Sequence, residues 1–265
     1  MKPDEIDGKR VLQVYTPITG EMTLKILLYG DPGVGKTTLA ASATAVPSMA
    51  EVLYINVEGG TLALSDPSIY GSETIPDTID FDGFDLLQVI FSQLAAGGHP
   101  YKTVIIDSLS ELVKYNLDAI IAKKIVSGGR AGKVNADEDD VFLEDYGTMT
   151  KQMRRVVRKF RDLPMHVIFI CHAAPTGTEP DAKIGPDLTK ALRGSVLGYM
   201  DVVGYLYTTT DKEDKDKKII RRLLTAPAGR FIAKDRSPGQ RLGTVLDNPT
   251  MAAIWKLING GQKEK

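Results

Sequence analysis

Leu24-Lys25-Ile26-Leu27-Leu28-Tyr29-Gly30-Asp31-Pro32-Gly33-Val34-Gly35-Lys36-Thr37-Thr38 is the stretch on which the fold turns. Leu24 to Tyr29 is a mainly apolar run, which predicts a strand buried on both faces. Gly30 to Thr37 fits G-x-x-x-x-G-K-[ST]. Its glycines permit a tight turn whose N–H groups point inward at phosphate oxygens. A helix starting near Lys36 adds the positive end of its dipole. The expected cradle for a nucleoside triphosphate is therefore Gly30, Asp31, Pro32, Gly33, Val34, Gly35, Lys36, Thr37 and Thr38. Lys36 would reach the β- and γ-phosphates, and Thr37 would hold Mg2+ through its hydroxyl. The competing reading is a chance glycine-rich turn. The strand before it and the helix after it are the context that the motif requires.

Short Val- and Ile-rich runs recur at Val52 to Val57, Thr103 to Asp107 and His166 to Cys171. Helical stretches lie between them: Lys36 to Thr44, Phe84 to Ala95, Leu109 to Lys124 and Tyr146 to Asp162. Repeated strand–helix units predict a three-layer α/β/α fold with a mainly parallel sheet and right-handed crossovers. Asp201 to Tyr207, Ile219 to Thr225 and Arg230 to Lys234 read as antiparallel additions to one sheet edge, with a charged turn at Asp211 to Lys218. Thr250 to Ile258 reads as a short amphipathic helix, and Gly260 to Lys265 as a frayed end. Ser127 to Asp140 and Ala173 to Pro186 are rich in turn formers and read as mobile loops. The expected division is a leader over 1–23, a core over 24–248, and a helix and tail over 249–265.

A phosphate loop needs a carboxylate on the metal side. Val104-Ile105-Ile106-Asp107 sets Asp107 at the end of a buried strand, where ligands collect in open α/β sheets. The other reading is a helix cap, a role that Ser108 could fill equally well. Hydrolysis also needs a group that orients water. Glu58, ending Tyr54-Ile55-Asn56-Val57-Glu58, is that candidate; the alternative is a solvated turn residue before two glycines. His172 ends the fourth run and could sense the γ-phosphate by hydrogen bonding, or simply cap the strand. Cys171 reads as core.

The 265 residues hold 33 Lys and Arg against 34 Asp and Glu, so net charge announces no nucleic-acid partner. A single cysteine excludes an internal disulfide framework and a cysteine zinc site. No stretch approaches the roughly twenty apolar residues of a membrane span. The expectation is a cytoplasmic protein with no membrane partner.

This constellation resembles the RecA-type ATPases, which include recombinases, RadA branch-migration proteins and hexameric helicases. Asp107-Ser108 matches their magnesium-side element, Glu58 their water-orienting glutamate on the neighbouring strand, and His172 their polar sensor, where bacterial recombinases carry Gln. Ala233-Lys234-Asp235-Arg236 resembles the Lys-Asn-Arg element that reaches into a neighbouring subunit's nucleotide. The resemblance therefore implies Lys234 and Arg236 as fingers acting in trans, ATP and Mg2+ as cofactors, and a homo-oligomer, ring or filament, with ATP between subunits. A basic strand end on the surface is the alternative for that element. The likeness runs from Leu24 to Arg236 and is greatest to short phage-encoded ATPases linked to single-strand annealing and recombination. Ile184-Gly185-Pro186-Asp187-Leu188 and the Arg193 helix carry that part, and no RadA-type zinc motif is present.

That subgroup implies ATP hydrolysis coupled to single-stranded DNA through loops 123–140 and 173–193. Lys123, Lys124, Arg130, Lys133, Lys183, Lys190 and Arg193 are the available cations. The helix Tyr146 to Asp162 adds Arg154, Arg155, Arg158 and Lys159 opposite a stripe of Met153, Val156, Val157 and Phe160, and reads first as a solvated face. Alternatives from other classes are a hexameric helicase or translocase motor, a phosphotransferase, and a nucleotide-gated interaction protein.

Overall fold

The computed structural model describes residues 5–6, 9–10, 23–126, 141–178, 180–210 and 219–260. Ten strands form the main sheet. In chain order they are β1 (Lys25–Gly30), β2 (Val52–Asn56), β3 (Asp77–Asp80), β4 (Thr103–Asp107), β5 (His166–Thr176), β6 (Lys183–Pro186), β7 (Val202–Thr210), β8 (Ile219–Leu224), β9 (Lys234–Asp235) and β10 (Val245–Asp247). The helices are α1 (Lys36–Ala41), α2 (Leu86–Ala96), α3 (Leu109–Val126), α4 (Leu143–Arg161), α5 (Lys190–Tyr199) and α6 (Met251–Ile258).

Along the sheet the order is β10-β8-β7-β1-β5-β4-β2-β3, with β9 pairing β7 and β6 pairing β5. From β7 to β3 every neighbouring pair is parallel. Such a sheet must be covered on both faces, because its strands carry apolar side chains on both. One face packs against α2, α3, α4 and α5, around Leu27, Ile55, Ile106, Met153, Phe160 and Phe169. The other packs against α1 and α6, around Leu28, Leu39, Tyr54, Ile105, Ile254 and Trp255. The α/β/α architecture is thus present, and Met251, Ile254, Trp255 and Ile258 of α6 are buried in the second core.

Three expectations change, and one strand is additional. The strand expected at Asp201 to Tyr207 pairs antiparallel on one side only, with β8 and β9; its other side is not antiparallel. β7 runs parallel to β1, with Ile26 opposite Val202 and Tyr29 opposite Tyr205, because α5 supplies the crossover that a parallel neighbour needs. Beyond β7 the antiparallel additions are β8, β9 and β10. Of Arg230 to Lys234, only Lys234 enters a strand, as half of β9. The two ends of Ala173 to Pro186 form paired strands rather than a mobile loop: β5 continues to Thr176, and β6 returns antiparallel to it. It is held further by Ile184 N–H on Arg230 O (2.8 Å) and Ile232 N–H on Ile184 O (3.0 Å). The edge strand β3 has no apolar run to announce it; Asp77 and Asp80 are exposed, a common protection for a sheet edge. The segments expected as a first mobile loop (127–140), a charged turn (211–218) and a frayed tail (261–265) lie outside the described residues.

Candidate active site

β1, β5, β4 and β2 are adjacent and parallel, so their C-terminal ends bring four of the expected residues to one edge: Gly30, His172, Asp107 and, just beyond Asn56, Glu58. This is where an open α/β sheet binds ligands.

The loop leaving β1 is built by its glycines. Gly33 and Gly35 sit at φ 77° and 94°, a region that strains residues with a Cβ. Gly30 is required for a different reason: a Cβ there would lie 2.2 Å from the Leu206 carbonyl oxygen of β7. Val34 packs into the core, anchoring the loop tip. Lys36 turns its ammonium back over the loop, donating to Asp31 O (2.9 Å) and Gly30 O (3.1 Å). Burial lowers its pKa, while Asp107, Glu58 and Asp31 oppose that fall. A cation held this way, buried and satisfied only by carbonyls, favours an incoming anion. Thr38 is buried behind the loop.

Asp107 is buried at 3% exposure and accepts two hydrogen bonds on one oxygen, from Thr37 Oγ1 (2.6 Å) and Tyr54 OH (2.8 Å). Burial pushes its carboxyl above the usual range; the two donors pull it down, Glu58 pushes it up and Lys36 pulls it down. The cap question has an answer here. Ser108 Oγ accepts the Glu111 N–H (3.3 Å) at the start of α3, so Asp107 is not needed there. A hydroxyl and a carboxylate touching beside a lysine cradle are a donor set that suits Mg2+, a hard cation taking oxygen ligands.

Glu58 is tied to Asp107 through the backbone: the Val57 and Glu58 N–H groups both donate to Asp107 O (2.8 and 3.2 Å). Asn56 shapes the turn that follows, accepting the Gly59 N–H (3.0 Å) and donating to Asp80 (2.7 Å). His172 Nε2 lies 2.8 Å from Glu58 Oε1. The backbone N–H of His172 donates to Ser110 Oγ (3.0 Å), and Ser110 Oγ donates to Asp187 O (3.1 Å). Sequence reasoning missed Tyr54 and Ser110. A phenol inside a doubly buried strand needs a polar partner, and that was the available signal for Tyr54; Ser110 carries none.

Residues 22–237 match the AAA domain family. The chain belongs to that family, and it carries a nucleotide-binding P-loop ATPase domain. No curated protein sequence matches the chain. Among solved structures, the flagellar accessory protein FlaH from Methanocaldococcus jannaschii is similar at a TM-score of 0.40 and 13% identity, over 76% of each chain. No helix of the described residues is long and apolar enough to cross a membrane.

Lys234 and Arg236 are not brought to this edge. β9 pairs with the beginning of β7, Lys234 opposite Val203 and Asp235 opposite Val202. Lys234 Nζ donates to Leu197 O of α5 (2.6 Å). Of the expected DNA-facing cations, Arg193 is committed to Pro186 O (2.8 Å) and Leu188 O (2.5 Å), and Lys124 to Asp145 (2.6 Å). Lys183 and Lys190 are exposed. On α4, Arg154 donates to Ala191 O (2.8 Å), Arg158 to Tyr199 OH (3.0 Å) and Lys159 to Gln88 (2.5 Å).

Proposed function

We propose that this protein is a Mg2+-dependent RecA-type ATPase that assembles as a homo-oligomer on single-stranded DNA, in recombination or annealing. The observation that carries the hydrolytic part is Glu58, fixed by backbone hydrogen bonds to the Asp107 strand and touching His172 at 2.8 Å. Gly30 to Thr38 hold the triphosphate. Lys36 lies against its transferring end, and Thr37 and Asp107 hold the metal, which neutralises phosphate charge when bound. Glu58 accepts the proton of the attacking water. His172 restrains Glu58 until a γ-phosphate competes for the imidazole. Of the pair Lys234 and Arg236, Arg236 acts on a neighbour's nucleotide, while Lys234, bonded to Leu197 O, holds the strand that carries it.

The DNA reading is supported by the hairpin. β5 carries His172 and continues without a break to Thr176, so a change at His172 is transmitted along one strand towards exposed Lys183. The resemblance to short phage ATPases points the same way. Phosphate contacts from such lysines give salt-sensitive, sequence-independent binding.

The test is the ATPase rate with and without an oligo-dT strand, with the assembly state followed by light scattering. Stimulation together with assembly supports the proposal. Absence of DNA binding at low salt in every nucleotide state would sink the DNA part and leave the ATPase part standing.

A further inference from the structure

We propose a second binding site, on the helical face between α2 and α4, that takes an acidic peptide with a bulky apolar side chain. An open cavity of about 280 Å3 lies there, floored by Leu87, Phe91, Val156 and Phe160 and rimmed by Arg155 and Lys159. It shares those two cations with a second depression of about 330 Å3, walled by Lys151, Arg154 and Arg158, with Asp162 as its carboxylate. An apolar socket thus opens directly into a basic channel. Neither shares a residue with the phosphate-loop site.

The two halves ask for different chemistry from one ligand. The socket is just below the roughly 300–1,000 Å3 of small-molecule pockets, and is sized for one or two side chains. The channel is a row at helical spacing on α4, so its cations project to one side. Arg154 and Arg158 are held in place by Ala191 O and Tyr199 OH, and Arg158 and Arg161 also lie over the Tyr199 ring. Such fixed guanidinium groups lose little freedom on meeting carboxylates. Arg155 is exposed and, among the described residues, makes no hydrogen bond or ion pair. Asp85, also on the socket rim, bars an acidic side chain from that end.

Nucleic acid fits less well. Base recognition here would need an open aromatic face. Phe91 has Lys159 over its ring at 5.0 Å and meets Phe160 edge-on at 6.1 Å. The apolar anchor plus acidic flank of a peptide uses both halves.

The experiment is fluorescence anisotropy with a fluorescein-labelled oligo-glutamate peptide carrying one phenylalanine, titrated with the full chain. Arg155→Glu is expected to weaken binding about tenfold, which is about 1.4 kcal/mol, and Lys151→Glu to act in the same direction. ATP turnover without peptide should be unchanged in both variants. Replacing the peptide's phenylalanine by alanine should cost a similar factor in the wild type, a readout that needs no protein variant. The proposal is overturned if the phenylalanine makes no difference, if both charge reversals leave affinity unchanged, or if an oligo-dT strand binds this face with the same Arg155 dependence.

Discussion

Replacing Glu58 by Gln separates chemistry from structure at this site, because the two effects differ in size by an amount the geometry sets. The carboxylate's partner is His172, at 2.8 Å, and the two side chains are 34% and 27% exposed. A side-chain contact that open to solvent contributes at most ~1 kcal/mol, even between two charged groups. Gln keeps the shape and can still accept from an imidazole N–H. The stability loss is therefore at most about 1 kcal/mol, a shift of about 2–4 °C in Tm for a chain of this size. Nucleotide affinity should change little, since Lys36, Thr37 and the loop amides are untouched. Turnover is different. An amide cannot take the proton of attacking water, and loss of a general base costs typically 10²–10⁴-fold. That is about 3–5 kcal/mol in the barrier. Phosphate release under saturating Mg2+-ATP measures the rate, and a fluorescent ATP analogue measures binding. Turnover within threefold of wild type would refute the assignment. So would a fall in turnover matched by an equal loss of nucleotide binding.

Tyr54→Phe removes one of the two hydrogen bonds that orient Asp107. It should raise the Mg2+ concentration needed for half-maximal turnover by about 10–100-fold, read from a Mg2+ titration of the ATPase; an unchanged titration curve refutes the positioning role. His166 is buried with Nδ1 accepting the Leu24 N–H (3.1 Å), so it must be neutral in the fold. Burial lowers its pKa to about 4, with nearby Lys25 adding to the fall and a Ser48 hydrogen bond opposing it. The unfolded chain then binds more protons between pH 6.5 and 4, and stability falls as pH drops through that window, by up to about 3 kcal/mol. Urea midpoints from pH 7 to 4 should show this loss, and a parallel profile in His166→Gln would contradict it. Finally, mixing Arg236→Ala with Glu58→Gln subunits should restore part of the turnover that each lacks alone; strict additivity of two inactive proteins would show that Arg236 does not act in trans.

How much of this was legible in the sequence follows from how local each signal is. β1 and its loop are one contiguous stretch with a fixed spacing, so the cradle could be read directly. Asp107 ends a buried strand and Glu58 follows another by two residues, and the end of an apolar run is visible without knowing which strands are neighbours. Pairing is not local. Nothing in Asp201 to Tyr207 distinguishes a strand beside β1 from one at an antiparallel edge; the difference lies in α5 and in the close contact between Gly30 and Leu206. The hairpin of β5 and β6 was hidden for another reason. Its prolines and glycines are turn formers, yet Pro175 and Pro186 are tolerated because neither needs to donate to a central ladder. Tyr54 and Ser110 act through contacts with residues 53 and 77 positions away.

The position of β9 bears on what Lys234 and Arg236 can do. Lys234 is level with Val203, and Val203 with Leu27, three residues short of Gly30. At ~3.3 Å per residue that is about 10 Å short of the phosphate loop along the strand direction, and β9 lies two strand spacings of ~4.8 Å from β1 across the sheet. Arg236 lies further back, with its N–H on Asp201 O (3.0 Å). Neither strand position approaches the chain's own cradle, so a role for this element in hydrolysis requires a second copy. The two cations are also unequal. Lys234 is half-buried on Leu197 O, and burial, with Arg236 close by, lowers its pKa to about 8 against the opposing pull of Asp201. To act as a finger it would have to leave that carbonyl. Asp235 accepts from Ser237 N–H (2.7 Å), Ser237 Oγ (2.9 Å) and Leu242 N–H (3.1 Å), and so pins the turn between them. That leaves Arg236 exposed at the end of a rigid support. By this geometry Lys234 holds β9 against α5, and in the proposed assembly Arg236 is the residue that would meet a neighbour's phosphate.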